Sequence, residues 1–208
     1  MGNLKLGASI AHFDLPAGIT CPGKSDLCYR HCYARQHRFR FAQVRERLAW
    51  NLRQARRGDF PERVVEEVRK KGVLVCRLHV SGDFFDAAYA AKWLAILKRC
   101  PKVRFYCYTR SYRVPAIADV LEEMAALRCM RLWYSIDAET GVPLRVPVGV
   151  RLAYLQVDAD DQPELVDLLF RIRRLRREKL PLSVLCPNEA PGGRAGAVNC
   201  GNCQRCWQ

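Results

Sequence analysis

From residue 73 onward the chain alternates short apolar runs with amphipathic stretches, and this alternation limits the fold more than any other feature. Residues 73–80, 103–109, 131–137 and 150–157 read as strands. Between them, residues 86–99 carry Tyr89, Trp93 and Leu97 on one helical stripe, and residues 115–127 open with a proline at the first turn. Residues 163–177 place Leu165, Leu168, Leu169, Ile172 and Leu175 at helical spacing, and residues 183–186 read as a short fifth strand. Repeated strand–helix units predict an α/β fold with a parallel sheet and right-handed crossovers. A chain of 208 residues falls short of the ~250 typical of a closed barrel, so the expectation is an open or partial (β/α) barrel. Ahead of it, Phe41, Val44, Leu48, Leu52 and Ala55 mark a helix stopped by Gly58, and Asp59-Phe60-Pro61-Glu62 opens a second that Gly72 ends. Residues 1–40 read as irregular. The division expected is a cluster-binding loop and barrel over 1–185, followed by a tail over 186–208.

Alternate side chains of a strand face opposite sides. Cys76, Leu78 and Val80 then share one face, with Arg77 and His79 on the other. Val103, Phe105 and Cys107 oppose Arg104, Tyr106, Tyr108 and Arg110. Trp133, Ser135 and Asp137 oppose Leu132, Tyr134 and Ile136, and Tyr154, Gln156 and Asp158 alternate with Ala153, Leu155 and Val157. One face of the sheet is suited to packing helices. The other is polar and aromatic, as the lining of a cavity or a half-solvated surface would be.

Eleven cysteines, an odd number, argue against a complete disulfide framework, and seven of them fall into two groups. The tail holds Cys200-x2-Cys203-x2-Cys206, preceded by Cys186-Pro187. Three cysteines at this spacing plus a remote one followed by proline is how ferredoxin-type loops ligate a [4Fe–4S] cluster; zinc is the alternative there. The first group is Cys21-x6-Cys28-x3-Cys32. Three thiolates predict a second [4Fe–4S] cluster with one open iron position, as a catalytic metal needs, unless His12, His31 or His37 closes it as a structural site. Cys76, Cys100, Cys107 and Cys129 read as packing residues.

The net charge is +14, which favours anionic partners such as nucleic acid or nucleotides. Arg35, His37, Arg38 and Arg40 interleave with Phe39 and Phe41 beside the first cysteines, a combination that suits single-stranded nucleic acid. Arg171, Arg173, Arg174, Arg176, Arg177 and Lys179 crowd the reading of residues 163–177 as a helix, as a solvated face or a phosphate-binding surface. No run approaches the ~18 apolar residues of a membrane span, and the first residues lack a signal-peptide pattern. The expected location is the cytoplasm, with no membrane partner.

Together, Leu15-Pro16-Ala17-Gly18, Thr20-Cys21-Pro22-Gly23, Cys32-Tyr33-Ala34, His79-Val80-Ser81-Gly82-Asp83-Phe84, Tyr108-Thr109-Arg110-Ser111 and Cys203-x2-Cys206-Trp207 resemble the phage and plasmid gene-product-88 domain family over nearly the whole chain. A more distant likeness is to radical S-adenosylmethionine enzymes. Those pair a three-cysteine loop with a partial (β/α) barrel and often add an auxiliary cluster. Cys28-x3-Cys32 followed by Tyr33 is similar to the first part of their loop, although Arg35 stands where their last cysteine would be and Cys21 would substitute from upstream.

That second likeness implies an iron–sulfur enzyme with a reactive cluster on Cys21, Cys28 and Cys32 and an auxiliary cluster on Cys186, Cys200, Cys203 and Cys206. It also implies S-adenosylmethionine as a cofactor and ferredoxin or flavodoxin as reductant. Ser81-Gly82-Asp83 resembles the glycine–acid motif that holds the methionine amino group, with Ser111 nearby; read alone, it is a turn. Asp83, Arg110 and Asp137, at strand ends, become the candidate catalytic residues. The competing expectation is a non-enzymatic nucleic-acid-binding module with structural metal sites.

Overall fold

The computed structural model describes residues 5–161, 163–177, 184–190 and 198–208. Six strands form a single sheet in sequential order: β1 (Ile10–Phe13), β2 (Val75–Leu78), β3 (Arg104–Thr109), β4 (Met130–Ile136), β5 (Arg151–Gln156) and β6 (Leu168–Arg171). Every neighbouring pair is parallel. Helices α1 (Asp26–Arg30), α2 (Ala42–Arg56) and α3 (Phe60–Lys70) lie between β1 and β2, α4 (Ala87–Arg99) between β2 and β3, and α5 (Pro115–Ala125) between β3 and β4. A sixth, α6, is the single turn Cys200–Cys203. The fold is the expected α/β half-barrel.

Outward-facing Phe13, Cys76, Leu78, Phe105, Cys107, Leu132, Tyr134 and Ile136 pack on α3, α4 and α5. Asp86 caps α4 by accepting from the Tyr89 N–H, and α4 buries Tyr89, Trp93, Ile96 and Leu97 against the strands. Large apolar side chains of this kind each contribute roughly 1.5–3 kcal/mol when taken from water. The inner face is aromatic. There the ring of Tyr108 on β3 meets that of Phe170 on β6 at 5.2 Å. Strands three apart in a flat sheet stand about 14 Å from one another, farther than the two rings can bridge, so the sheet must curl.

Three sequence expectations are corrected. Residues 1–40 are not irregular throughout, because Ile10–Phe13 is the edge strand β1, with Phe13 opposite Leu78. Residues 163–177 are not a helix. Leu168 faces the interior and Leu169 the helices, as successive residues of a strand must; Leu165, counted as core, is 91% exposed. The arginines that follow lie in a 3-10 turn, Arg173–Arg177. Third, strand parity fails after Leu78. His79 adopts the left-handed φ of 61°, which turns its ring outward against Phe84 and Tyr89 and sends Val80 inward beside Ile10 and Tyr106.

Of the short strand read over 183–186, Ser183 lies outside the described residues. Leu185 bridges in parallel to Leu169, and the Cys186 N–H donates to the Leu169 carbonyl at 3.0 Å.

Candidate metal centres

The C-terminal edge of the sheet forms a platform of buried polar groups. Asp83 follows β2, and its Oδ1 accepts from the Thr109 hydroxyl at 2.6 Å and the Phe84 N–H at 2.8 Å, while Oδ2 accepts from the Arg110 N–H at 2.8 Å. Burial nevertheless raises its carboxyl above the usual range, the hydrogen bonds opposing. Ser111 donates its hydroxyl to the Phe84 carbonyl and its N–H to Thr109 Oγ1. Ser81 donates to the Leu15 carbonyl. Arg110 pairs with Asp137 at 2.9 Å, and both are buried. Ser81, Asp83, Arg110, Ser111 and Asp137 therefore gather at the ends of β2, β3 and β4, and each is engaged within the protein.

The first cysteine loop, which leaves β1, is fastened across this platform. A Cβ on Gly23 would stand 1.9 Å from the Arg110 carbonyl oxygen, so only glycine fits. Gly82, at φ 80°, plays the same part from below, since a Cβ there would meet Leu15 and Thr20 at 2.6 Å. Arg113 donates to the Gly23 carbonyl at 2.9 Å. Ser25 caps α1 by accepting from the Cys28 N–H at 3.0 Å, and its hydroxyl donates to Asp137 Oδ2 at 2.6 Å. Glu139 accepts from the Leu27 N–H at 2.9 Å and pairs with Arg30.

Cys21, Cys28 and Cys32 are unpaired and half-buried. They stand near enough to influence one another. Burial, then the Asp83 carboxylate, pushes the Cys21 thiol up to about 12, with Cys32 and Cys28 adding to the rise and the Gly18 N–H opposing it. Cys28 is raised by burial against the pull of Arg110. Cys32 is raised by burial while the N–H groups of Ala34 and Arg35 reach its sulfur. Of the histidines weighed as a fourth ligand, His12 is committed to Asp14 at 2.6 Å.

The second group lies inside the half-barrel. The tail is laced to the segment leading into β1, through Cys200 N–H to the Lys5 carbonyl at 2.7 Å and Gly201 N–H to the Leu6 carbonyl at 3.1 Å. Trp133 on β4 donates its indole N–H to the Cys206 carbonyl at 2.9 Å. Cys200 and Cys206 pack with Tyr106 and Tyr108, and Cys186 with Trp133 and Ala153. Burial raises the Cys206 thiol to about 11, with Cys200 and Cys186 adding to it and the Tyr108 hydroxyl and Arg77 opposing. Cys186 and Cys200 thus lie near enough to Cys206 to influence it. Cys203 sits three residues after Cys200 on α6, on the same helical face.

Among the described residues no group of three or more His, Cys, Asp or Glu side chains is gathered to hold a metal ion. The donor sets themselves suit a cluster: soft thiols with backbone N–H groups directed at sulfur. A cubane also spreads its ligands wider than one tetrahedral ion with metal–sulfur bonds of about 2.3 Å. Sequence reasoning missed Ser25, Glu139, Arg113 and Gly23 as the loop's fastenings. A serine three residues before Cys28 is a readable helix cap; the partners on β3 and β4 are tertiary and leave no local signal.

The chain matches the family described as Gene product 88 over residues 2–208. It belongs to that family. It is 31% identical over 169 residues to the Gene 88 protein of Mycobacterium phage L5, covering 74% of this chain and 69% of that one. It is 27% identical over 169 residues to the Gene 88 protein of Mycobacterium phage D29, covering 74% and 68%. No solved structure matches. Gene product 88 membership supports the first resemblance read from the sequence; nothing in these comparisons extends it to radical S-adenosylmethionine enzymes.

Proposed function

We propose that this Gene product 88 protein is an iron–sulfur enzyme working at the mouth of its half-barrel. Cys21, Cys28 and Cys32 would hold a reactive [4Fe–4S] cluster, and Cys186, Cys200, Cys203 and Cys206 an auxiliary one. The observation that carries the reading is the loop's position: three unpaired thiols leave β1 and lie over the strand ends, where parallel (β/α) folds place their chemistry. Bound there, an open-sited cluster would supply one-electron chemistry on a ligand such as S-adenosylmethionine.

The chain's own residues fix that geometry. Ser25, Gly23 and Arg113 hold the loop at a set height above β3 and β4. Arg110, beside Cys28, places positive charge where thiolates would gather. Asp83 positions Arg110 and Thr109. The net charge of +14 favours an anionic substrate and an acidic electron donor of the ferredoxin or flavodoxin class.

One observation favours the non-enzymatic module instead. Asp83 already uses both oxygens internally, so little acceptor capacity remains for a ligand's ammonium. Purification without oxygen, followed by iron and acid-labile sulfide analysis, tests the cluster reading. About eight of each per chain are expected, four for each cubane. Stoichiometric zinc without visible absorption would overturn it.

A further inference from the structure

The inner face of the half-barrel holds hydrogen-bond donors that the protein does not itself satisfy. Arg77, on β2, has its Nε sealed from solvent without a partner. Its guanidinium lies 5.2 Å from the Tyr108 ring centroid and 5.9 Å from that of Tyr106. The hydroxyls of both tyrosines are likewise buried with no oxygen or nitrogen partner; Tyr106 faces only the Cys200 thiol and Tyr108 only that of Cys206, and Tyr106 is 0% exposed. Among the described residues no carboxylate pairs with Arg77. The nearby Glu189 accepts from Lys5 at 3.0 Å and Arg176 at 2.7 Å.

Unsatisfied donors of this kind are costly, and an enclosed cation without a counter-charge more so. Three of them converging on one spot call for an anion with several acceptor positions. The groups that face them are Cys200 and Cys206, which pack directly against Tyr106 and Tyr108, with Cys186 beside Cys206. Neutral thiols are weak acceptors and carry no charge. A cluster held by thiolates is anionic and presents sulfur acceptors all round.

We propose that Arg77, Tyr106 and Tyr108 form a cationic, hydrogen-bond-donating cradle for an anionic iron–sulfur cluster on the C-terminal cysteines, and that this cradle raises the cluster's reduction potential. The inference rests on the cluster reading above. Taking up one electron from a reductant such as dithionite makes the cluster more negative by one charge. Arg77 and the two phenol O–H donors stabilise the reduced form more than the oxidised one, because their attraction grows with that charge. These residues position and tune. They do not touch substrate.

The test uses the full chain carrying Cys28→Ala, which removes the first cluster, reconstituted without oxygen and titrated with dithionite while the paramagnetic resonance signal is followed. Tyr106→Phe and Tyr108→Phe, which remove only a hydroxyl, should each lower the midpoint potential, and Arg77→Leu should lower it further. Arg77→Lys should fall between Arg77→Leu and the parent. Loss of iron from a tyrosine variant whose circular dichroism is unchanged would equally support the cradle. Unchanged potentials at unchanged iron content would overturn the inference while leaving the cluster reading intact. A Cys28→Ala protein with no iron would overturn both the second cluster and its cradle.

Discussion

The Arg110 guanidinium stands 2.9 Å from the Asp137 carboxylate, and the two side chains are 5% and 0% exposed. This pair ties the end of β3 to the end of β4 beneath the first cysteine loop, and Ser25 extends it into the loop. Removing one partner of a buried pair leaves the other charged and unpaired, whereas replacing both with apolar groups need not destabilise at all. Arg110→Leu should therefore cost about 3–5 kcal/mol, and Arg110→Leu with Asp137→Asn, which removes the charge but keeps an acceptor for Ser25 and the Glu139 and Thr140 N–H groups, less than that. Urea unfolding of the three proteins checks this. A double variant worse than the single one would show that the pair is not acting as one unit.

Gly23 offers a cleaner probe of the loop than any cysteine. The atom a side chain would meet is backbone, at 1.9 Å, and a carbonyl cannot swing aside as the tip of a flexible side chain can. Gly23→Ala should lift the loop from the platform and lower the iron content of the first site, leaving the second occupied. Iron near eight per chain in Gly23→Ala would mean that the loop's height is unimportant for ligation.

The His79 ring is enclosed by Phe84, Tyr89 and Trp93. Burial, with Arg77 adding to it against Asp14, holds its pKa down to about 3, below the ordinary value of about 6.5. Between those values the unfolded chain binds the proton and the folded chain does not, so stability falls as pH drops through this window, by about 5 kcal/mol in all. Asp83, raised by burial, works in the opposite sense above the ordinary carboxylate range. Replacing His79 with asparagine, which tolerates the left-handed backbone, should flatten the fall between pH 6.5 and 4 even if overall stability is lower. Denaturant midpoints across that range test it, and an unaltered slope in the variant would count against His79.

Arg38 and Arg40 are exposed beside the first cysteine loop, with Phe41 64% exposed next to them. If they contact phosphate, single-stranded DNA or RNA should bind more weakly as salt rises, and Arg38→Ala with Arg40→Ala should reduce the magnitude of the log–log salt slope by about 1–2. A slope identical to that of the parent would assign these arginines to the solvent.

Where the pattern is long and local, the sequence carries it well. α4 and α5 lie within two residues of their expected bounds, and the helix-facing set on β3 and β4 is as parity predicts. What escapes is tertiary. Ile10–Phe13 is four residues long and becomes a strand only because β2 lies alongside. Leu168 and Leu169 satisfy a helical spacing and a strand equally, and the sheet decides between them by offering β5 an open edge. His79 reverses the parity of everything after it in that strand through one left-handed residue, for which no rule of alternation allows. Of the site, the cysteines were visible by spacing. Arg77, Tyr106 and Tyr108 were visible only as a polar and aromatic face, because their meeting with the tail joins residues about a hundred apart in sequence.

The two cysteine groups differ in number, and that difference separates an enzyme from a binding module. On the proposed reading, four tail thiolates would saturate a cubane, while three at the mouth would leave one iron position open. An open iron would be available to the amino and carboxylate groups of S-adenosylmethionine. Adding that ligand to the dithionite-reduced protein should then change the paramagnetic resonance of one cluster only. Cys28→Ala should abolish the change, and Cys203→Ala should leave it in place. Asp83→Ala separates two roles for that residue, since its oxygens hold Thr109 and Arg110. Destabilisation of the fold with ligand response retained would make Asp83 a positioning residue, and loss of the response at unchanged stability would place it against the ligand. A wild-type spectrum indifferent to S-adenosylmethionine, with His31 or His37 found as a fourth ligand by pulsed resonance of nitrogen couplings, would close the mouth cluster and turn the protein into a binding module.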